Sequence, residues 1–324
     1  VPPTVLFRCE AGGEAGFGHL SRCLALAAAL GPRATCRFDT TRCDDAARTL
    51  IAAAGFAGDD GATADAVVFD GYGFADAMIS AARSLSLPPP VVAVIDDFGG
   101  RTIDCDLVIS PGPQRAVGDW RVPPRCRVLL GPRHALLGPA FVPARRAPAP
   151  EVARLLVGFG GTDAPDATAQ VLALLPQGLT VDVLLGPGYR GAASARSGAT
   201  FHRALAPDAV ARLMGEADAA ITAPGVMALE LLAIGRPALL LALTPAQEEV
   251  GRALAHAGLA ADGGAAGAPG TAAAIAAFLA DHEARAAMVR AARAVDAAGG
   301  ASRVAEALLA ALAARAAMAQ EGGR

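Results

Sequence analysis

A chain of 324 residues with 53% hydrophobic content carries enough apolar side chain for a sizeable core, which excludes a disordered tail or a small disulfide scaffold. The 28 basic and 31 acidic residues leave a formal charge of −3, so the basic field that a phosphate backbone requires is missing and nucleic acid is not expected as a partner. No uncharged apolar run approaches the ~20 residues of a bilayer-spanning helix, and the amino terminus reads directly into a strand; the expectation is a cytoplasmic protein without a membrane span.

Short β-branched or apolar runs alternate with longer Ala- and Leu-rich segments at helical spacing, the pattern of a parallel sheet with crossover helices. Strands are predicted at 4–8, 67–70, 91–95, 107–109 and 128–130. Behind the first, Leu20, Cys23, Leu24 and Ala27 share one helical face, so a βα unit opens the chain. Pro143, Pro148 and Pro150 around Arg145 and Arg146 make 142–150 an extended connector, hostile to helix or central strand. That connector divides the sequence into residues 1–145 and 151–324, each expected to be a Rossmann-like, doubly wound α/β domain. In the second, strands are predicted at 155–159, 181–185, 219–222 and 238–241, with helices starting near Asp163, Asp208, Gly225 and Ala246. The stretch 302–319 reads as an amphipathic helix that docks on a neighbouring sheet or crosses back onto the first domain. Six cysteines, at 9, 23, 36, 43, 105 and 126, include no CxxC pair. They are expected to be reduced and mostly buried as small apolar filling, ahead of a redox or metal role for Cys36 and Cys43.

Both halves open with a strand, a glycine-rich loop and a helix. The first offers Arg8 and Glu10, then Gly12, Gly13, Gly16, Gly18 and His19; the second offers Gly158, Gly160, Gly161, Thr162 and Asp163. Glycines at a strand's carboxyl end let backbone approach a ligand, and the helix behind presents free N–H groups to an anion. A tight turn without a ligand is the competing explanation for each loop. Neither loop spells the dinucleotide fingerprint or the P-loop. His19 falls in the first helical turn, where the dipole disfavours imidazolium and leaves the neutral form that a general base needs, although capping or packing is the ordinary use of such a residue.

Thr222, Gly225 and Val226 lead from a strand into a helix that carries Glu230 in its second turn, flanked by apolar residues. A carboxylate there can accept hydrogen bonds from two vicinal hydroxyls such as a ribose presents. Thr244, Gln247 and Glu248 stand at the next strand-to-helix mouth as candidates for sugar hydroxyls, or as ordinary first-turn residues. Asp70, Asp96 and Asp97 lie at carboxyl ends of predicted strands, where α/β proteins gather ligand groups, and Tyr72 follows Asp70 in its turn. No HxH or HExxH string appears, so no metal is expected.

Taken in order, Phe7 and Arg8, the GFGH of Gly16 to His19 with Arg22, Cys23 and Leu24, DGYG from Asp70, IDDF from Ile95, LLGPRHALLGPAF from Leu129, GFGGTD from Gly158 and the block from Thr222 to Glu230 resemble the PseG/SpsG family. These are the UDP-2,4-diacetamido-2,4,6-trideoxy-β-L-altropyranose hydrolases of pseudaminic acid synthesis and their relatives in spore-coat polysaccharide synthesis. The resemblance implies a GT-B fold similar to the MurG glycosyltransferase, with two domains facing across a cleft and no metal or other cofactor. It implies His19 as the base that activates water at the anomeric carbon, with Tyr72 near the substrate; Arg8, Glu10, Gly16, Gly18, Asp97, Gln247 and Glu248 are the further candidates for the substrate side. Gly161, Thr162, Ala204, Leu205, Thr222, Gly225, Val226 and Glu230 would hold UDP. The chain departs from the family pattern at Glu10, at Ser110, Pro111 and Gly112, at His134 and at Gly138, all in the sugar-reading half. A UDP-sugar hydrolase, compatible with a monomer, is therefore the leading expectation. A UDP-sugar-dependent GT-B glycosyltransferase and a non-catalytic UDP-sugar-binding protein are the alternatives.

Overall fold

The computed structural model describes residues 1–322 apart from 14, 15, 60, 62, 87, 145, 146, 148, 162, 164, 187 and 192–196. In chain order the first elements are β1 (Thr4–Cys9), α1 (Gly18–Leu30), β2 (Thr35–Asp39), α2 (Asp45–Ala53), β3 (Ala57–Gly58), β4 (Ala66–Asp70), α3 (Asp76–Ala81), β5 (Val91–Ile95), β6 (Leu107–Ser110) and β7 (Arg127–Leu130). There follow β8 (Arg154–Gly158), α4 (Ala167–Leu174), β9 (Thr180–Leu185), β10 (Ala199–Arg203), α5 (Pro207–Glu216), β11 (Ala219–Thr222), α6 (Val226–Ile234), β12 (Ala238–Ala242), α7 (Pro245–His256), β13 (Ala261–Ala265), α8 (Thr271–Ala280), α9 (His282–Val295) and α10 (Gly300–Gly322). They form two compact units: Val1–Pro139 with Gly299–Arg324, and Ala140–Ala298.

The first unit is built on a seven-stranded parallel sheet in the order β3-β2-β1-β4-β5-β6-β7. β4 and β5 are buried along their whole length, which is why their sequences are continuous apolar runs and not alternating ones. Val5, Phe7 and Cys9 of β1 pack with Leu20, Cys23, Leu26 and Leu30 of α1, and α10 adds Ala301, Val304, Leu308 and Leu312 to the same core. Val67 and Phe69 turn to the other face and meet Phe74, Ile79 and Trp120. The helical stretch His282–Met318 is long and apolar enough to cross a membrane by length and composition alone, yet the apolar positions of α10 are those that line this core.

The second unit has a six-stranded parallel sheet in the order β10-β9-β8-β11-β12-β13. In both sheets the order reverses beside the first strand, between β1 and β4 and between β8 and β11. Ligands of doubly wound sheets bind at the carboxyl ends of the strands at that reversal.

Several strands escape the sequence pattern. β2 carries Arg37 at a buried position, reaching the Thr63 carbonyl and Asp59, so its apolar run is broken. β10 is a partly exposed edge strand with alternating polar residues. β13 has no β-branched or aromatic residue: a Cβ at Gly263 would come within 2.5 Å of Leu241 Cδ2, so close approach of strands excludes larger side chains. α4 begins at Ala167, not near Asp163, because Asp163 and Asp166 precede it as caps. Of the connector, 145, 146 and 148 lie outside the described residues; Ala144 donates its N–H to the Ile234 carbonyl at 2.8 Å.

Candidate active site

In the first unit β1 ends at Cys9 and the chain turns through a glycine loop closed by a Gly12 N–H to Gly16 carbonyl bond of 2.8 Å. Gly12 has φ +97°, and a Cβ there would meet the Asp44 carboxylate, whose Oδ1 accepts the Ala47 N–H that starts α2. The loop delivers the chain into α1, whose first turn has no side-chain cap. His19 and Arg22, three residues apart, therefore point from one helical face towards the carboxyl end of β4.

There they converge on Asp70, which is 0% exposed. His19 Nδ1 is 2.6 Å from Asp70 Oδ1. Arg22 donates from Nε to Asp70 Oδ2 at 2.9 Å, from Nη2 to Asp70 Oδ1 at 2.6 Å, and from Nη1 to Asp97 Oδ2 at 2.7 Å. An ionised carboxylate only accepts, so the imidazole proton sits on Nδ1 and points at Asp70. The Arg22 Nη2 contact with His19 Nδ1, at 2.9 Å, is then a meeting of two donors that share one carboxylate oxygen. In a neutral imidazole that arrangement leaves the lone pair on Nε2, the form a base uses. The Tyr72 ring stands edge-on to His19 with centroids 4.5 Å apart, its hydroxyl 3.4 Å from Asp97 Oδ2, and Phe98 packs on its other side at 4.8 Å.

Other first-unit residues singled out from the sequence have different surroundings. Arg8 lies on the face of the sheet away from α1, paired with Asp39 at 3.3 Å and over the Phe69 ring, so it is not brought to His19. Glu10 accepts from Arg42 Nη1 at 2.6 Å and from the Gly73 N–H at 2.9 Å, contacts that hold its carboxyl below the usual range although burial alone pushes it up. Gly16 and Gly18 shape the loop and the start of α1. Asp96 is structural, accepting from Trp120 Nε1 and the Gly99 N–H. Asp104 and Asp106 spell an acidic DxD string at the amino end of β6, where Arg83 and Arg125 pair with both. His134 donates from Nδ1 to the Leu130 carbonyl, and burial lowers its pKa. The cysteines are free; Cys9, Cys23, Cys43 and Cys105 are buried, Cys36 and Cys126 half-buried. Among the described residues no group of three or more His, Cys, Asp or Glu is placed to hold a metal ion.

In the second unit the parallel sheet gathers four loops at one edge: after β8 (Gly160 and Gly161), after β10 (Ala204 and Leu205), after β11 (Thr222 to Val226) and after β12 (Thr244 to Glu248). Thr162 lies outside the described residues. Gly186 passes so close to Gly160 and Gly161 that a Cβ would fall 2.2 Å from the Gly160 carbonyl oxygen, and Gly188 donates to the Gly161 carbonyl. The expectation that the helix behind this loop offers free amides is corrected here. Asp163 is buried and accepts from Ala167 and Thr168 at 2.8 and 2.9 Å, so α4 already has its anion.

The next helix differs. Gly225 caps α6 without any side-chain hydrogen bond, and the first intrahelical amide donor to its carbonyl is Ala228, leaving the Val226 and Met227 N–H groups facing outward along the axis. One turn on, Glu230 is half-buried with no hydrogen-bond or ionic partner among the described residues. Burial alone pushes its pKa up to about 7. Thr222 is buried, and Ala204 holds a left-handed φ of +50° at the exit of β10. Gln247 is engaged in capping, accepting the Leu243 N–H on Oε1 at 2.8 Å and leaving only its NH2 group available, while Glu248 pairs with Arg252 on the surface.

Asp70 and Arg22 are the members of this constellation whose roles the sequence left unassigned. The signal was present in the spacing of His19 and Arg22 on one helical face and in the place of Asp70 at a strand end beside the sheet reversal.

No family model and no curated protein matches the chain. Solved structures do. The calicheamicin glycosyltransferase CalG4 superposes with a TM-score of 0.64 at 16% identity, over 96% of this chain and 98% of its own. MurG of Acinetobacter baumannii gives 0.58 at 15% identity, over 95% and 99%. The spinosyn rhamnosyltransferase SpnG, determined with thymidine diphosphate, gives 0.56 at 14% identity, over 90% and 95%. Two parallel, doubly wound sheets and neighbours of this kind identify the architecture: the chain has the α/β GT-B fold.

Proposed function

We propose that this protein acts on a nucleotide-sugar, breaking the bond between the anomeric carbon and the diphosphate with an oxygen nucleophile deprotonated by His19. The observation that carries the reading is the Nδ1–H bond from His19 to buried Asp70, which leaves Nε2 basic. The oxygen nucleophile loses its proton to Nε2 as the new C–O bond forms, and the electron pair of the old bond leaves with the nucleoside diphosphate. Asp70 holds the Nδ1 proton of the imidazolium that results. A diphosphate needs charge stabilisation more than protonation, and the uncapped amides of α6 suit that need. Glu230, desolvated and without a partner among the described residues, suits the vicinal hydroxyls of a ribose.

Two nucleophiles fit. The solved structures this fold matches are glycosyltransferases, including CalG4 and MurG, which supports the hydroxyl of an acceptor. The ordered motifs that resemble those of the PseG/SpsG family support water instead, releasing UDP and a free acetamido-deoxy sugar, with UDP-2,4-diacetamido-2,4,6-trideoxy-β-L-altropyranose as the substrate to try first. Incubation of that substrate in ¹⁸O-water without acceptor separates the two. UDP release with ¹⁸O in the free sugar assigns hydrolysis; UDP release only when an acceptor alcohol is added assigns transfer. Tight nucleotide binding with neither outcome, across a panel of UDP- and TDP-sugars, overturns the enzymatic reading.

A further inference from the structure

An aspartate alone against a histidine favours imidazolium, and a base that is already protonated accepts nothing. In this unit the carboxylate is not alone. Arg22 is buried, and both Nε and Nη2 bond to Asp70, so a permanent cation lies against the same carboxylate that holds the His19 proton. Its third arm reaches Asp97, whose side chain is 20% exposed and lies at the edge of the cluster.

Resting on the reading of His19 as a base, we propose that Arg22 is the positioning residue that keeps it one: Arg22 cancels the Asp70 charge that would otherwise turn the imidazole into imidazolium, and leaves Asp70 oriented to hold the Nδ1 proton. Through that arrangement Asp70 sets the tautomer without setting the charge. Asp97 works in the opposite sense, drawing part of the Arg22 charge away from Asp70.

Among the described residues, the remaining groups around His19 do not supply this balance. From its own helix only Arg22 faces it, beside the Cys23 thiol, which burial keeps protonated. From the end of β4 come Asp70 and the neutral Tyr72. Glu10, after β1, feels His19 at a distance but is already held by Arg42 and the Gly73 amide. Asp97, after β5, reaches the imidazole only through Arg22 and Tyr72.

The test reads the imidazole without substrate. In protein labelled with ¹⁵N-histidine, the His19 signals are assigned among the five histidines by their loss in His19→Gln. At neutral pH the wild-type ring is expected as the neutral Nδ1–H tautomer. In Arg22→Met the ratio of imidazolium to imidazole at the same pH rises about ten-fold or more, the size of effect that one adjacent charge produces. Arg22→Lys keeps the charge and stays near the wild-type ratio, whereas Asp97→Asn shifts it the other way. In kcat/KM profiles the acid limb of Arg22→Met moves to higher pH and the plateau is recovered in alkali, whereas a merely structural brace would lower the rate at every pH. A folded Arg22→Met with an unchanged ratio overturns the proposal. If that variant does not fold, an unchanged ratio in Asp97→Asn overturns it. Because the spectra need no nucleotide-sugar, the expected shifts in a protein that turns over no such substrate would support this inference and count against the proposed function alone.

Discussion

Asp70 accepts the Nδ1 proton of His19 across 2.6 Å while receiving two arms of Arg22, so a single buried carboxylate orients one side chain and neutralises another. In Asp70→Asn the shape is kept but the acceptor-only group is lost, and an amide NH2 can face the imidazole and force the other tautomer. Turnover is expected to fall on the order of 10³- to 10⁴-fold, as when the carboxylate behind other catalytic histidines is replaced by an amide. Nucleotide affinity, which the proposed function places in the second unit, is expected to stay constant in titration calorimetry. A loss of less than about ten-fold in turnover contradicts the role given to Asp70.

Glu230 yields a prediction with two signs. Its folded pKa, pushed up to about 7 by burial, lies above the value an unfolded carboxyl takes. The native state therefore holds a proton that the unfolded chain has released, and stability falls as pH rises from about 4.5 towards about 7. Glu230→Gln removes that loss, so above neutral pH the variant is expected to be more stable than wild type, by up to about 3 kcal/mol. The same change is expected to weaken nucleotide binding by about 1–3 kcal/mol, through loss of a charge-assisted hydrogen bond to ribose. Denaturant melts and nucleotide titrations at pH 8 check both. A variant that binds as tightly as wild type removes Glu230 from the nucleotide site.

Asp182 carries a pH dependence of the opposite kind. Although buried, it is held below the usual carboxylate range by Arg154 at 2.7 Å and His202 at 2.8 Å. A depressed folded pKa contributes stability in full above the unfolded value, near 4, and loses it as pH falls through the lower folded value. Asp182→Asn is expected to cost about 1–3 kcal/mol at neutral pH. The gap from wild type should narrow in acid melts. A constant gap across that range would show that the carboxylate's charge is not what stabilises the sheet.

The parallel strands were legible because a strand buried on both faces is written as an unbroken apolar run, as in β4 and β5. β2 and β13 were not, since Arg37 interrupts one and Asp262, Gly263 and Gly264 fill the middle of the other, each for a tertiary reason that no local pattern carries. His19 and Glu230 stood out as polar groups at strand-to-helix junctions. Arg8 and Glu10 stood out for the same reason, yet pair with Asp39 and with Arg42, partners set by strand order and not by neighbours in sequence. The Asp163 cap was hidden too: as a sequence, GFGGTD reads equally as an anion cradle and as a helix that brings its own anion.

The central claim is that an unprotonated His19 Nε2 accepts the proton of the attacking oxygen while a separate set of residues grips the nucleotide. The rate of UDP release and the affinity for UDP, both measured on His19→Ala against wild type, test it most directly. The expected result is a rate lower by about 10²- to 10⁴-fold with affinity within about two-fold. Retained release, or a parallel collapse of rate and affinity, would contradict it.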